Sequence, residues 1–171
     1  MNILILYASR GGATRECAEI LYRKLSIHNT PHLVSAEESL PAPDGFDAVI
    51  IGSSIRMNRM NKQLKSYIKQ HTETLSSMPT AVFFCCGYPR QFEEYVNIQL
   101  PKRLVCSLGH HCFGGELKPD KLKGFDKLVV RMLRNSINSQ DFEESDADHH
   151  ALPELIPENI NLLVEKIEKL D

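Results

Sequence analysis

The sequence predicts a doubly wound α/β domain built on a five-stranded parallel sheet. Three observations carry this. Apolar runs of strand length alternate with stretches of helical periodicity along most of the 171 residues. The runs are close to continuously apolar, as in strands buried on both faces. The first run also ends in a small loop of hydroxyl and glycine residues that opens a helix, and sheets of this class bind ligands at such strand ends.

The elements follow in order. Asn2–Ala8 reads as the first strand, and a helix from about Thr14 to Ile27 places Cys17, Ala18, Leu21 and Leu25 on one face. Pro31–Ala36 is a short second strand, and Ser35–Gly45 is a polar, proline-bearing loop. Asp47–Gly52 is a third, fully buried strand. Met60, Leu64, Tyr67, Ile68, His71 and Leu75 mark one helix. Thr80–Cys86 is the fourth strand, entered through Met78 and Pro79. Arg90 to about Leu108 has a helical pattern, with a kink or split expected at Pro101, which lacks an N–H and clashes with the preceding turn. His111–Leu117 is the fifth strand, and Ile160, Leu163, Val164, Ile167 and Leu170 form the stripe of the last helix.

Lys118–Pro153 exceeds this minimal pattern. In its first half Leu122, Phe125, Leu128, Val129, Met132 and Leu133 alternate with Lys121, Lys123, Lys127, Arg131 and Arg134, so an extra basic helix is expected before the last one. Gln140–His150 is acidic and histidine-bearing and reads as a loop. The basic stretch, 118–138, either packs on the domain, covers a substrate groove, or makes a weak peripheral contact with an anionic membrane.

Length and composition suggest a single domain over 1–171, with 42% apolar and 25% charged residues. The net charge of -2 leaves no basic footprint for nucleic acid. No stretch reaches the ~20 apolar residues of a membrane span, and no secretion signal is read before the first strand. The five cysteines are irregularly spaced and suit a reducing compartment. The expected location is therefore cytoplasmic, with the inner face of the cell membrane as the peripheral variant. Cys85 and Cys86 are read as buried free thiols, since a bridge between adjacent cysteines is strained.

The loop Ser9-Arg10-Gly11-Gly12-Ala13-Thr14 carries the chemistry. A helix start leaves backbone N–H groups unpaired and carries partial positive charge, so it attracts an anion. Gly11 and Gly12 permit close approach of the backbone, and Ser9 and Thr14 add hydroxyl donors. No lysine is present for a nucleotide-triphosphate loop, and the glycines are too few for a dinucleotide fingerprint. A plain glycine turn without ligand is the bland alternative.

What remains, Ser-x-Gly-Gly-x-Thr, resembles the flavodoxin phosphate loop, with Gly11 in place of a threonine. The resemblance implies the strand order 2-1-3-4-5 and a flavin mononucleotide (FMN) whose terminal phosphate the loop wraps. It assigns the ring to the loops after strands three and four, here Ser53, Ser54, Ile55, Arg56 and Met57, and Cys86, Gly87 and Tyr88. Tyr88 is expected to stack on one ring face, with Ile55 or Met57 on the other. Arg56 is expected either as a flavin tuner or as a solvated or carboxylate-paired loop residue. A cation ~5 Å from a reduced flavin anion is worth about 3 kcal/mol at an effective dielectric near 20, which raises the reduction potential.

Two motifs narrow the resemblance. Ser9–Arg15 and Ile51-Gly52-Ser53-Ser54-Ile55-Arg56 are similar to the corresponding loops of the menaquinone-dependent protoporphyrinogen dehydrogenases, which also carry a basic insertion before the final helix. That resemblance implies an FMN-dependent oxidoreductase taking hydrogen from a reduced tetrapyrrole or similar small molecule and passing electrons to quinone. The chain departs from that family in a shorter segment after strand four, which contains Glu93 and Glu94. An FMN electron carrier docking a redox protein and a cofactor-free module are the alternatives. The near-neutral charge weighs against the carrier.

Other chemistries fail on spacing. Cys106, His110, His111, Cys112, His149 and His150 match no zinc pattern, so no metal is expected. No Cys-x5-Arg phosphatase loop follows a strand, and Ser53 stands where a receiver domain needs a phosphorylatable aspartate.

Overall fold

The computed structural model describes residues 1–10, 12–115 and 155–170. Five parallel strands lie in the order β2-β1-β3-β4-β5: β1 (Asn2–Ala8), β2 (Thr30–Ser35), β3 (Ala48–Ser54), β4 (Thr80–Cys85) and β5 (Gly109–Cys112). This is the order that the loop resemblance implied. The helices are α1 (Ala13–Leu25), α2 (Lys62–Gln70), α3 (Thr72–Ser77), α4 (Phe92–Gln99) and α5 (Pro157–Glu168).

Period-two alternation sends successive strand residues to two separate cores. On one face Leu4, Leu6, Val49, Ile51 and Phe84 meet Leu64, Ile68 and Val96 of α2 and α4. On the other Ile3, Ile5, Ile50 and Phe83 meet Leu21 and Leu25 of α1 and Leu163 and Ile167 of α5. Both faces are covered, so the central strands must be apolar at every position. Gly52 is required inside β3: a Cβ there would lie 2.0 Å from the Phe83 ring, itself stacked on Phe113 at 4.4 Å.

Several predicted boundaries move, each for a local reason. The first helix stops at Leu25, where Ser26 bonds back to Tyr22 and a turn follows. The helix expected across Met60–Leu75 is two. Asn61 caps α2, accepting from the Gln63 and Leu64 N–H groups at 2.9 and 3.1 Å. At His71 the backbone leaves helical geometry, and Thr72 turns its hydroxyl onto the Ile68 carbonyl at 2.8 Å. No kinked helix runs to Leu108. Helix α4 ends at Gln99, before Pro101, and a turn through Leu104 carries the chain to β5. That strand begins at Gly109 rather than His111 and ends at Cys112. The strand after Asp47 runs two residues further than expected, to Ser54. The predicted basic helix and loop of Lys118–Pro153, and the membrane contact assigned to 118–138, lie outside the described residues.

Candidate functional site

The carboxyl ends of β1, β3, β4 and β5 open onto one cleft. Ser9, Ala13 and Thr14 line it from the first loop, Ser54, Ile55 and Arg56 from the loop after β3, Cys85, Cys86 and Gly87 from the end of β4, and Gly115 from beyond β5.

The first loop turns through Gly12, whose φ of 94° favours glycine, and enters α1 with no side-chain cap on its N-terminus. The Gly12 N–H donates to Ser9 Oγ at 3.1 Å, which fixes the loop's curl. Thr14 Oγ1 is buried and has no hydrogen-bond partner among the described residues. A buried hydroxyl left unpaired costs free energy that a ligand oxygen would recover. The neighbouring Cys85 thiol is held well above its ordinary value by its contact with Cys17 and by burial, with Thr14 acting against them. Arg10 and Arg15 stand on the outer side of the loop, lining a second depression with Tyr7, Gly12, Ser35 and Glu37. Arg15 is also paired with Glu19 at 2.8 Å on the exposed face of α1. Gly11 lies outside the described residues.

The second loop is a two-residue hairpin. Arg56 and Arg59 exchange backbone hydrogen bonds of 3.0 and 2.9 Å, with Met57 and Asn58 at φ of 47° and 58° between them. Such a turn needs positive φ at both central residues; asparagine tolerates it, while methionine is strained there. Strain of this kind costs about 1–3 kcal/mol and persists only where the surroundings hold it. Here Ile55 N–H is bonded to the Cys85 carbonyl at 2.9 Å, and Gln99 of α4 grips the far side.

Beyond Arg10, Gly11 and Gly12 of the first loop, the predicted site residues separate into three groups. Ser9, Ala13, Thr14, Ser54, Ile55, Arg56, Cys86 and Gly87 come together in the cleft. Ser53 turns inward and is fully buried; its Oγ accepts from the Asn61 N–H at 3.0 Å and so anchors the end of the loop. Met57 and Tyr88 project from the rim, 83% and 52% exposed, and neither lines the cleft. Sequence reasoning missed Gly115 as a lining residue. Gly115 had a signal, since a small residue just past a strand lies where such sheets take ligands. A Cβ on it would sit 3.2 Å from the Cys86 backbone.

The adjacent cysteines part company. Cys85 faces α1, with its Sγ 3.8 Å from that of Cys17, and Cys86 faces the other side, 3.7 Å from Cys112. Neither neighbour was expected. Among the described residues no three His, Cys, Asp or Glu side chains are grouped to hold a metal ion.

Residues 4–144 match the family model described as flavodoxin domain. The chain is 33% identical over 142 residues to the protoporphyrinogen IX dehydrogenase (quinone) of Escherichia coli strain K12, spanning 78% of each protein. The flavodoxin of Streptococcus pneumonia TIGR4 superposes with a TM-score of 0.60 at 12% identity, over 100% of both chains. A flavoprotein in complex with FMN from Lactobacillus acidophilus NCFM superposes with a TM-score of 0.50 at 15% identity, covering 65% of this chain and 92% of that one. At such identities these two structures speak for the fold.

Proposed function

This chain belongs to the flavodoxin-domain family, and from that premise we propose that it is an FMN-dependent oxidoreductase. In this reading it takes hydrogen from a reduced tetrapyrrole or a similar small molecule and passes electrons to quinone, inside the cell. The observation that carries the cofactor is the first loop: an uncapped helix N-terminus beside a buried Thr14 hydroxyl with no partner among the described residues, opening into a cleft shared by four strand ends. The donor set suits a phosphate, since backbone N–H groups, hydroxyls and a helix start all favour a compact anion. The 33% identity to a protoporphyrinogen dehydrogenase supports the substrate class.

FMN bound there would supply the hydrogen and electron transfer. The protein's task is to hold and bias it. Ser9, Gly12 and Thr14 with the first turn of α1 would hold the phosphate. Backbone groups of Ser54–Arg56 and Cys86–Gly87 would flank the ring. Arg56 would place positive charge beside a flavin that becomes negative on reduction, favouring an acceptor of hydrogen over a low-potential donor.

The test has two stages. The purified protein's visible spectrum should carry the flavin bands, and FMN released by denaturation should be near stoichiometric. The loaded protein should then oxidise protoporphyrinogen with a quinone as acceptor. A colourless protein that gains no flavin on incubation with FMN would overturn the cofactor. A flavoprotein that instead shuttles electrons from a reductase, with no turnover of tetrapyrrole, would overturn the substrate.

A further inference from the structure

We propose that Cys86 and Cys112 form a peroxide-reactive dithiol that closes reversibly to a disulfide at the floor of the cleft. The proposal does not depend on a bound flavin.

Strand register brings the two together. Phe84 on β4 pairs with Cys112 on β5, so Cys86, two residues beyond Phe84, lies on the same sheet face and diagonal to Cys112. The Cys86 N–H donates to the Gly114 carbonyl at 3.1 Å, which locks the two chain segments side by side. Their sulfurs are in contact at 3.7 Å, against the ~2.05 Å of a disulfide, and closing the bridge draws the end of β4 toward β5. The adjacent cysteine, Cys85, faces the opposite side and contacts Cys17.

Reactivity also separates the two pairs. All four thiols are buried, Cys112 the least so at 9% exposed, against 2% for Cys86, 4% for Cys85 and 0% for Cys17. The hydrogen bond with Cys86 and the Gly114 N–H lower the Cys112 thiol, against the effect of burial. The same contact and burial shift Cys86 upward. A thiolate beside a second thiol is the arrangement that oxidises to a bridge rather than further.

The chemistry balances. The Cys112 thiolate attacks one peroxide oxygen, the O–O bond breaks, and hydroxide leaves, giving a sulfenic acid. The Cys86 sulfur then attacks the Cys112 sulfur, the S–O bond breaks, and the Cys86 proton leaves with the departing oxygen as water. Two thiols and one peroxide become one disulfide and two waters. A small dithiol restores the pair by exchange. Because Cys86 lines the cleft, the bridge would tie its wall to β5.

The experiment uses the full-length protein as purified. It is exposed to a few-fold excess of hydrogen peroxide, its remaining thiols are alkylated under denaturing conditions, and its peptides are mapped without reduction. The expected result is loss of two of the five free thiols, with fragment ions placing one bridge between Cys86 and Cys112, and full recovery with dithiothreitol. In Cys86→Ser the Cys112 sulfenic acid should persist long enough to be trapped with dimedone. Mapping of the unmutated protein suffices if that variant folds poorly. A bridge between Cys17 and Cys85, oxidation at Cys106 first, or five intact thiols would overturn the proposal.

Discussion

Gln99 on α4 donates from Nε2 to the backbone carbonyl of Asn58 at 2.6 Å, across 41 residues of sequence. The other end of the same amide, Oε1, accepts from the Met60 N–H at 3.3 Å and from Lys65 Nζ at 3.1 Å. Gln99 is 3% exposed. One buried side chain therefore holds both sides of the turn in which Met57 and Asn58 adopt positive φ, and that turn presents Arg56 to the cleft.

Removing this clamp should loosen the turn. Gln99→Leu leaves the Asn58 carbonyl and the Met60 N–H without their partner, at about 1–3 kcal/mol for a buried unsatisfied group. The urea midpoint should fall accordingly. Limited trypsin digestion should cut faster after Arg56 and Arg59 than in the parent. Unchanged cleavage at both arginines would mean that the turn holds without Gln99.

The first loop gives a prediction with two opposed readouts. Thr14 Oγ1 has no partner among the described residues, so Thr14→Val should leave the stability of the flavin-free protein unchanged or slightly higher. FMN affinity should nevertheless fall about tenfold or more, since a charge-assisted hydrogen bond contributes about 1.5–3 kcal/mol. Adding Ser9→Ala should weaken binding further and also loosen the loop, because Ser9 Oγ holds the Gly12 N–H. Fluorescence titration with FMN measures the first effect and urea denaturation the second. Unaltered affinity in the double variant would remove the phosphate-loop assignment.

Arg56→Gln should lower the midpoint potential of bound flavin while leaving FMN affinity largely intact. The direction follows from Coulomb's law: a neutral side chain no longer stabilises the negative charge gained on reduction. Spectroelectrochemical titration of both proteins reads the shift. A potential that stays put or rises would show that Arg56 does not face the reduced ring.

Stability should depend on pH through His111. Burial holds its imidazole below the ordinary value of 6.5, with Lys166 and His110 acting in the same direction and the Leu108 carbonyl opposing them. The unfolded chain therefore takes up a proton at higher pH than the folded one. The His111 contribution is neutral above about 6.5 and becomes a loss of stability as pH falls below it. Thermal midpoints from pH 7.5 to 5 should drop less steeply for His111→Gln than for the parent. Parallel curves would show that another group sets the slope.

Much of the fold was legible because its causes are local. Continuous apolar runs marked β1, β3 and β4, and the stripe of Ile160, Leu163, Val164 and Ile167 marked α5, since burial on two faces or one leaves a periodic trace in the chain. The first loop was legible for the same reason: glycine at Gly12 and hydroxyls at Ser9 and Thr14 are requirements of backbone geometry and anion binding within six residues. Where the reading missed, a non-local or side-chain competitor decided. Asn61 turned its amide oxygen onto the backbone to start α2, and Thr72 turned its hydroxyl onto the Ile68 carbonyl where the predicted helix divides in two. Strand alternation sends the two adjacent thiols to opposite faces, but their partners lie 68 and 26 residues away and are chosen by how the sheet and helices stack. Likewise no spacing could couple Gln99 to Asn58. Local patterns record what each segment must bury; which side chains then meet depends on how strands and helices are stacked, and that information exists only once the sheet has formed.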